Sequence, residues 1–245
     1  MPMRILEEII ESLPTKPVPV RRVLIGIHWT AVCSEYCGLS STLTSENLPY
    51  SRLTGVGGYL ESSARDLAAL ALSENHYECS IGMAAINSLL CPNPKGAQEL
   101  NAYDWIFEYA PGKDVAVVGH FPFVDKMQGL ARNLWVIEKH PRPGDIPLEQ
   151  AAPYLADAQI VAITGSSIVN HSFEEVLAMC NKSAVIMVLG PSTPLSPVLF
   201  SHGVSILSGA YVVDEDKTLL TIEQGGSYSQ LSGVKRISIF KSGVI

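Results

Sequence analysis

From residue 114 onward the chain alternates short apolar runs with turns and helix-patterned segments, and that alternation decides the class of fold. The runs are 115–118, 134–138, 160–164, 184–189 and 204–207, with helical patterning at 148–155 and 173–179 between them. Strands joined by helix-length crossovers pair in parallel, whereas strands joined by tight turns pair antiparallel. Each run is apolar at successive positions, so both faces of the sheet are expected to be covered. The second half therefore reads as an open parallel α/β sheet.

Its first unit is DVAVVGHFPFVDKMQGLAR, residues 114–132. The strand breaks at Gly119 and passes through His120, Phe121 and Pro122. Phe123, Met127 and Leu130 then share one helical face. Open α/β sheets collect ligands beyond the carboxyl ends of their strands. That rule gathers Gly119, His120, Phe121 and Pro122, then Glu138, then Thr164, Gly165 and Ser166, then Gly190, Pro191, Ser192 and Thr193 into one expected cleft. Small residues leave room there, while hydroxyls, backbone N–H groups, an imidazole and a carboxylate supply directional contacts. Glu138 follows Gly119 at about the separation at which dinucleotide folds hold a ribose hydroxyl. The turn nevertheless has one glycine where the G-x-G-x-x-G fingerprint has three, so nucleotide binding rests on analogy of fold.

The first half has a different pattern. Ile5, Leu6, Ile9, Ile10 and Leu13 follow the helical period and Pro14 stops them. Residues 21–34 read as one strand, and 39–43 as its hairpin partner after a turn at Tyr36, Cys37 and Gly38. Residues 44–54 read as loop. Gly55, Val56, Gly57 and Gly58 read as the opening of a helix with Leu60, Ala64, Leu67, Ala68 and Ala71 on its apolar stripe. Further helices are expected at 81–90, with Asn87 as a hydrogen-bonding centre, and at 101–109. The sum is an α+β cap over residues 1–110 and a Rossmann-like α/β domain over 111–245.

A net charge of −7 argues against nucleic acid or an anionic membrane as partner, since polyanions are not drawn to an acidic surface. No apolar run is long enough to span a bilayer, and the N-terminus lacks the apolar core of a secretion signal. Five cysteines do not read as a disulfide framework, so they are expected as packed thiols in a cytoplasmic protein. His28, Cys33 and Cys37 lack the second donor pair of a zinc knuckle. A homodimer is expected only because two-fold assemblies are the commonest.

His120 is the leading candidate for chemistry, as a metal ligand or a general acid/base at a strand-end turn. No G-x-S-x-G elbow or phosphate-binding loop occurs.

The residues Ile25-Gly26-Ile27-His28-Trp29-Thr30, the Gly38-Leu39 return, the segment from Gly82 to Leu90, Val117 to Pro122 and Ile163 to Ser166 together resemble a heavy-metal chelation family. The likeness runs in order along essentially the whole chain. It implies an N-terminal domain similar to the enolase N-terminal fold, a Rossmann-like second domain, and a ligand site in the cleft between them. It further implies a metal or metal-chelate ligand, with His120 and Glu138 as metal ligands and a divalent transition metal as the expected ion. The metal-binding barrel of true enolases is absent, so enolase chemistry does not carry over. The alternative is an enzyme acting on a small anionic or nucleotide-like substrate in the same cleft.

Overall fold

The structure, a computed structural model, describes residues 3–43, 52–91, 96–100 and 102–243. Chain order runs α1 (Arg4–Ser12), β1 (Arg22–Ile25), β2 (Trp29–Cys33), β3 (Cys37–Ser41), α2 (Ala64–Ala68), α3 (His76–Leu89) and α4 (Ala102–Tyr109). It continues β4 (Asp114–Val118), α5 (Val124–Met127), β5 (Asn133–Glu138), β6 (Ile146–Pro147), α6 (Ala152–Asp157), β7 (Ile160–Thr164), α7 (Ser166–Val169) and α8 (Phe173–Met179). It ends with β8 (Val185–Leu189), α9 (Val198–Ser201), β9 (Ile206–Val212), α10 (Glu215–Glu223) and β10 (Val234–Phe240).

Among the described residues β1, β2 and β3 form an antiparallel sheet, and the other seven strands form a second sheet in the order β10-β9-β8-β7-β4-β5-β6. Every neighbouring pair of the second sheet is parallel except β9 with β10. Read from its first strand, the parallel part has the order of dinucleotide-binding folds, with an antiparallel strand added at one edge. The order reverses between β4 and β7. A crevice lies beyond their carboxyl ends.

Alternation along the central strands feeds two cores. Ala116, Val118, Val161 and Ile163 face a cluster that also holds Ile81, Met83 and Ile86 of α3 and Leu67 of α2. Val115, Val117, Ile160 and Ala162 face Trp105 and Ile106 of α4 and Phe123 and Met127 around α5. Each large side chain buried this way contributes about 1.5–3 kcal/mol. A third cluster seats Trp29, Ala31 and Leu39 under Leu219 and Ile222 of α10. The small sheet thus lies between α3 on one side and α10 on the other. Its apolar core is continuous with that of the large sheet.

Three expectations are corrected. Residues 21–34 are two strands, because the chain reverses at Gly26, Ile27 and His28 and Ile25 pairs back onto Thr30. The Gly55–Gly58 run opens only a single 3-10 turn, Tyr59–Glu61, and not the α-helix. Ser63 opens the α-helix: its hydroxyl accepts from the Asp66 N–H while Asp66 accepts in return, and Leu60 is left exposed ahead of the cap. Cys33 and Cys37 are joined as a disulfide across the end of the β2–β3 hairpin. Opposed pairing brings their side chains together, which counting cysteines cannot reveal. α10 and β10 form a helix and strand that apolar runs alone do not mark; Asp214 caps α10 through the Lys217 N–H. The loop reading at 44–51 lies outside the described residues, as does Asn101.

Candidate switch-point site

The crevice at the reversal is a cavity of about 660 Å³. β4 and the turn after it supply Val118, Gly119 and His120; β5 and the residues that follow it supply Ile137, Glu138, Lys139 and His140. β7 and the turn into α7 supply Thr164, Ser166 and Ser167, and the next turn supplies Asn170 and Ser172. Leu43 and His76 close it from the N-terminal side.

Local backbone geometry fixes this lip. Gly119 has φ of +103°, where only glycine is unstrained, and a Cβ there would lie 3.0 Å from Thr164. His120 follows directly. Its Nε2 donates to Asp145 Oδ2 at 2.8 Å, and the same carboxylate oxygen accepts the Arg142 N–H at 2.8 Å. Burial works to raise the Asp145 pKa, but those two donors prevail and hold it below the ordinary carboxylate value. An ionised Asp145 accepts hydrogen bonds only, so the imidazole nitrogen facing it carries the proton.

His76 is the first residue of α3, placed by Asn75, whose side-chain oxygen accepts the Tyr77 N–H. Burial, with the charge of Lys139 and the ring of His171, lowers the His76 pKa. Partial loss of hydration likewise lowers Lys139, against the opposing pull of Glu175. The polar wall is therefore rich in basic groups with Glu138 as its carboxylate.

Of the residues expected here, Gly119, His120, Glu138, Thr164 and Ser166 line the cavity. Phe121 turns away and stacks on Phe123 at 5.4 Å between ring centroids, and Pro122 is exposed beside it. Gly165 packs against Thr193, where a Cβ would come within 2.7 Å of the backbone nitrogen. Pro191, Ser192 and Thr193 are buried beneath the small sheet, with Gly190 half-buried at the turn before them. The Ser192 hydroxyl accepts the Ser41 N–H at 2.8 Å, and Ser41 Oγ lies 2.9 Å from Ser166 Oγ. The fourth strand end thus forms the seam between the sheets.

His76, Lys139, His140 and Asp145 were not anticipated. Lys139 and His140 directly continue the strand that ends in Glu138, so the same strand-end logic marks them. Asp145 enters from a Pro- and Gly-containing turn, and His76 from a helix 43 residues before Gly119 by the numbering; neither carries a local signal.

Among the described residues no three His, Cys, Asp or Glu side chains gather as a group able to hold a metal ion. The donor set does not fit a bare ion held by the protein alone, and the Lys139 ammonium opposes one by charge. No helix among the described residues is long and apolar enough to cross a membrane.

Two family models match the chain, over residues 6–90 and 101–241, and both carry the description "Putative heavy-metal chelation". A protein of unknown function from Desulfitobacterium hafniense is similar in structure at TM-score 0.85 and 28% identity, over 97% of this chain and 98% of that one. Another, from Pyrococcus horikoshii, matches in fold at TM-score 0.82 and 20% identity, over 98% and 99% of the two chains. An uncharacterized protein of Methanocaldococcus jannaschii is 24% identical over 189 residues, 72% of this chain and 71% of that protein.

Proposed function

The chain belongs to the family described as "Putative heavy-metal chelation", and from that premise we propose that the switch-point cavity receives a small anionic molecule already carrying a chelated divalent transition metal. The observation that carries this reading is the composition of the wall. His76, His120, Glu138, Lys139 and His140 line one space of about 660 Å³, while among the described residues no trio of metal donors is gathered. That volume lies in the range of small-molecule sites, roughly 300–1,000 Å³. A chelator brings its own donors and negative charge. The basic groups then hold the complex, and His120 and Glu138 are the side chains of this wall offered to its metal. In this reading residues 1–110 and 111–245 are two domains and the cavity lies between them. The surrounding protein is cytoplasmic, acts without nucleic acid or membrane, and pairs as a homodimer.

The second reading is an enzyme for a small anionic or nucleotide-like substrate. The hydrogen bond between His120 and Asp145 favours it, because a buried carboxylate behind an imidazole suits proton transfer.

Calorimetry on the untagged protein separates the readings. Copper(II) nitrilotriacetate is expected to bind at one per chain and the His120→Ala variant to bind it at least tenfold more weakly. Bare copper(II) that binds one per chain, with no heat from the chelate, would overturn the proposal. Metal-free small acids that bind as well as the chelate would favour the enzyme.

A further inference from the structure

We propose that Cys91 and the Cys33–Cys37 disulfide form a thiol–disulfide exchange site, in which the Cys91 thiolate attacks Cys37 and the bond passes from Cys33–Cys37 to Cys37–Cys91.

The three cysteines meet at one end of the small sheet. Cys33 and Cys37 are the last opposed pair of the β2–β3 hairpin, joined at a sequence separation of 4. The hairpin tip is tied to the last turn of α3: the Tyr36 N–H donates to the Ser88 carbonyl at 3.0 Å, and the Ser34 and Ser88 hydroxyls lie 2.6 Å apart. Cys91 follows directly after that turn, and its side chain is hydrogen-bonded to that of Tyr36, the neighbour of Cys37. Cys37 and Cys91 also line one small cavity, together with Tyr36, Asn87, Leu90 and Tyr211. Its enclosed room of about 20 Å³ holds about one water. A nucleophile already in the wall therefore has the advantage over any larger thiol that would have to enter.

Exposure assigns the roles. Cys91 is exposed, whereas Cys79 and Cys180 are buried thiols that burial pushes up to about 12, so neither becomes a thiolate near neutral pH. Within the bonded pair Cys37 is 6% exposed and Cys33 0%. Cys37 is then the sulfur attacked and Cys33 the leaving group. The Cys91 thiol gives its proton to solvent, and the Cys91–Cys37 bond forms as the Cys37–Cys33 bond breaks. Cys33 leaves with the electron pair and takes up a proton. No net oxidation occurs, so no outside oxidant or reductant is consumed. A ring this short removes little freedom from the unfolded chain, and β2 and β3 stay paired from Trp29 with Ser41 to Val32 with Gly38. The hairpin does not depend on the bond it surrenders. In its new place the bond ties the hairpin tip to the chain leaving α3.

The test maps disulfides in the full chain. Wild type is held at about pH 8.5, where an ordinary thiol is half ionised, blocked with N-ethylmaleimide, digested and analysed by mass spectrometry without reduction. It is expected to yield a Cys37–Cys91 peptide beside Cys33–Cys37, and Cys91→Ser to yield Cys33–Cys37 alone. Cys33→Ser, oxidised with diamide, is expected to carry Cys37–Cys91 and to lose nearly all labelling at Cys91, with circular dichroism unchanged. Labelled Cys37 and Cys91 in a natively folded, oxidised Cys33→Ser would overturn the proposal. Should that variant fail to fold, wild type decides: absence of the Cys37–Cys91 peptide, or Cys33 and Cys37 isolated as free thiols, would overturn it equally.

Discussion

The hydroxyls of Ser41 and Ser166 lie 2.9 Å apart, joining the last residue of the small sheet to a residue of the cavity lip. Ser192, buried behind them, accepts the Ser41 N–H, and its hydroxyl lies 3.0 Å from that of Ser41. Three small polar residues from distant parts of the chain thereby hold the roof of the cavity to the sheet.

Ser192→Ala leaves the Ser41 N–H without its acceptor in a buried seam. A buried unsatisfied donor costs about 1–3 kcal/mol, so urea unfolding is expected at a correspondingly lower midpoint. An unchanged midpoint would show that the seam does not depend on this hydroxyl.

Gly38→Ala is expected to be more damaging. A Cβ at Gly38 would lie 2.2 Å from the Ala84 carbonyl oxygen and 2.3 Å from the Ser88 nitrogen, both backbone atoms of α3. Relief requires β3 and α3 to separate, at a cost of about 3 kcal/mol or more. Thermal unfolding at the wild-type temperature would contradict so close an approach.

Anion binding in the cavity is expected to weaken at a lower pH than an ordinary lysine predicts. The Lys139 pKa is lowered from 10.5 by burial, so its positive charge is lost as pH rises through that lower value. Lys139→Met should reduce affinity for copper(II) nitrilotriacetate about tenfold, or 1.4 kcal/mol, at neutral pH and flatten the alkaline limb of the titration. An alkaline limb that survives in Lys139→Met would assign it to another group.

Acid should erase the contribution of Asp114. Hydrogen bonds from Arg132, then Asn133, hold its pKa below 3.8 against the opposing effect of burial. A carboxyl whose folded pKa is depressed stabilises the fold above its unfolded value and loses that effect as pH falls through the folded one. Wild type is expected to exceed Asp114→Asn in urea midpoint at neutral pH, with the gap closing below pH 3.8. A gap constant with pH would remove the charge from the explanation.

The strands at 160–164 and the turn at Gly119 were legible because periodicity and a glycine break are local signals. The order of the strands was not, since nothing in residues 134–138 says on which side of β4 they lie. The reversal at Ile27 was hidden because Ile25 and Ile27 continue an alternating pattern through it. Ser192 and Thr193 carried the right chemistry for a strand end, but the packing of β3 covers them, and that packing depends on Gly38 meeting α3. His76 reaches the cavity and Asp145 reaches the ring of His120 through tertiary placement, one by a capped helix start and the other by a turn, so composition near Gly119 could not name them.

The cavity wall draws Leu43 and His76 from the first half of the chain and Ser172 from the segment between β7 and β8. Contacts so far apart in sequence require large loops to close and form late relative to helices and neighbouring strands. A newly made or partly unfolded chain therefore has no place for the ligand, whatever secondary structure it has gained. In the proposed reading only the finished molecule binds, so occupancy would draw the population toward complete folding by mass action, and the cargo itself would become a selector of intact copies.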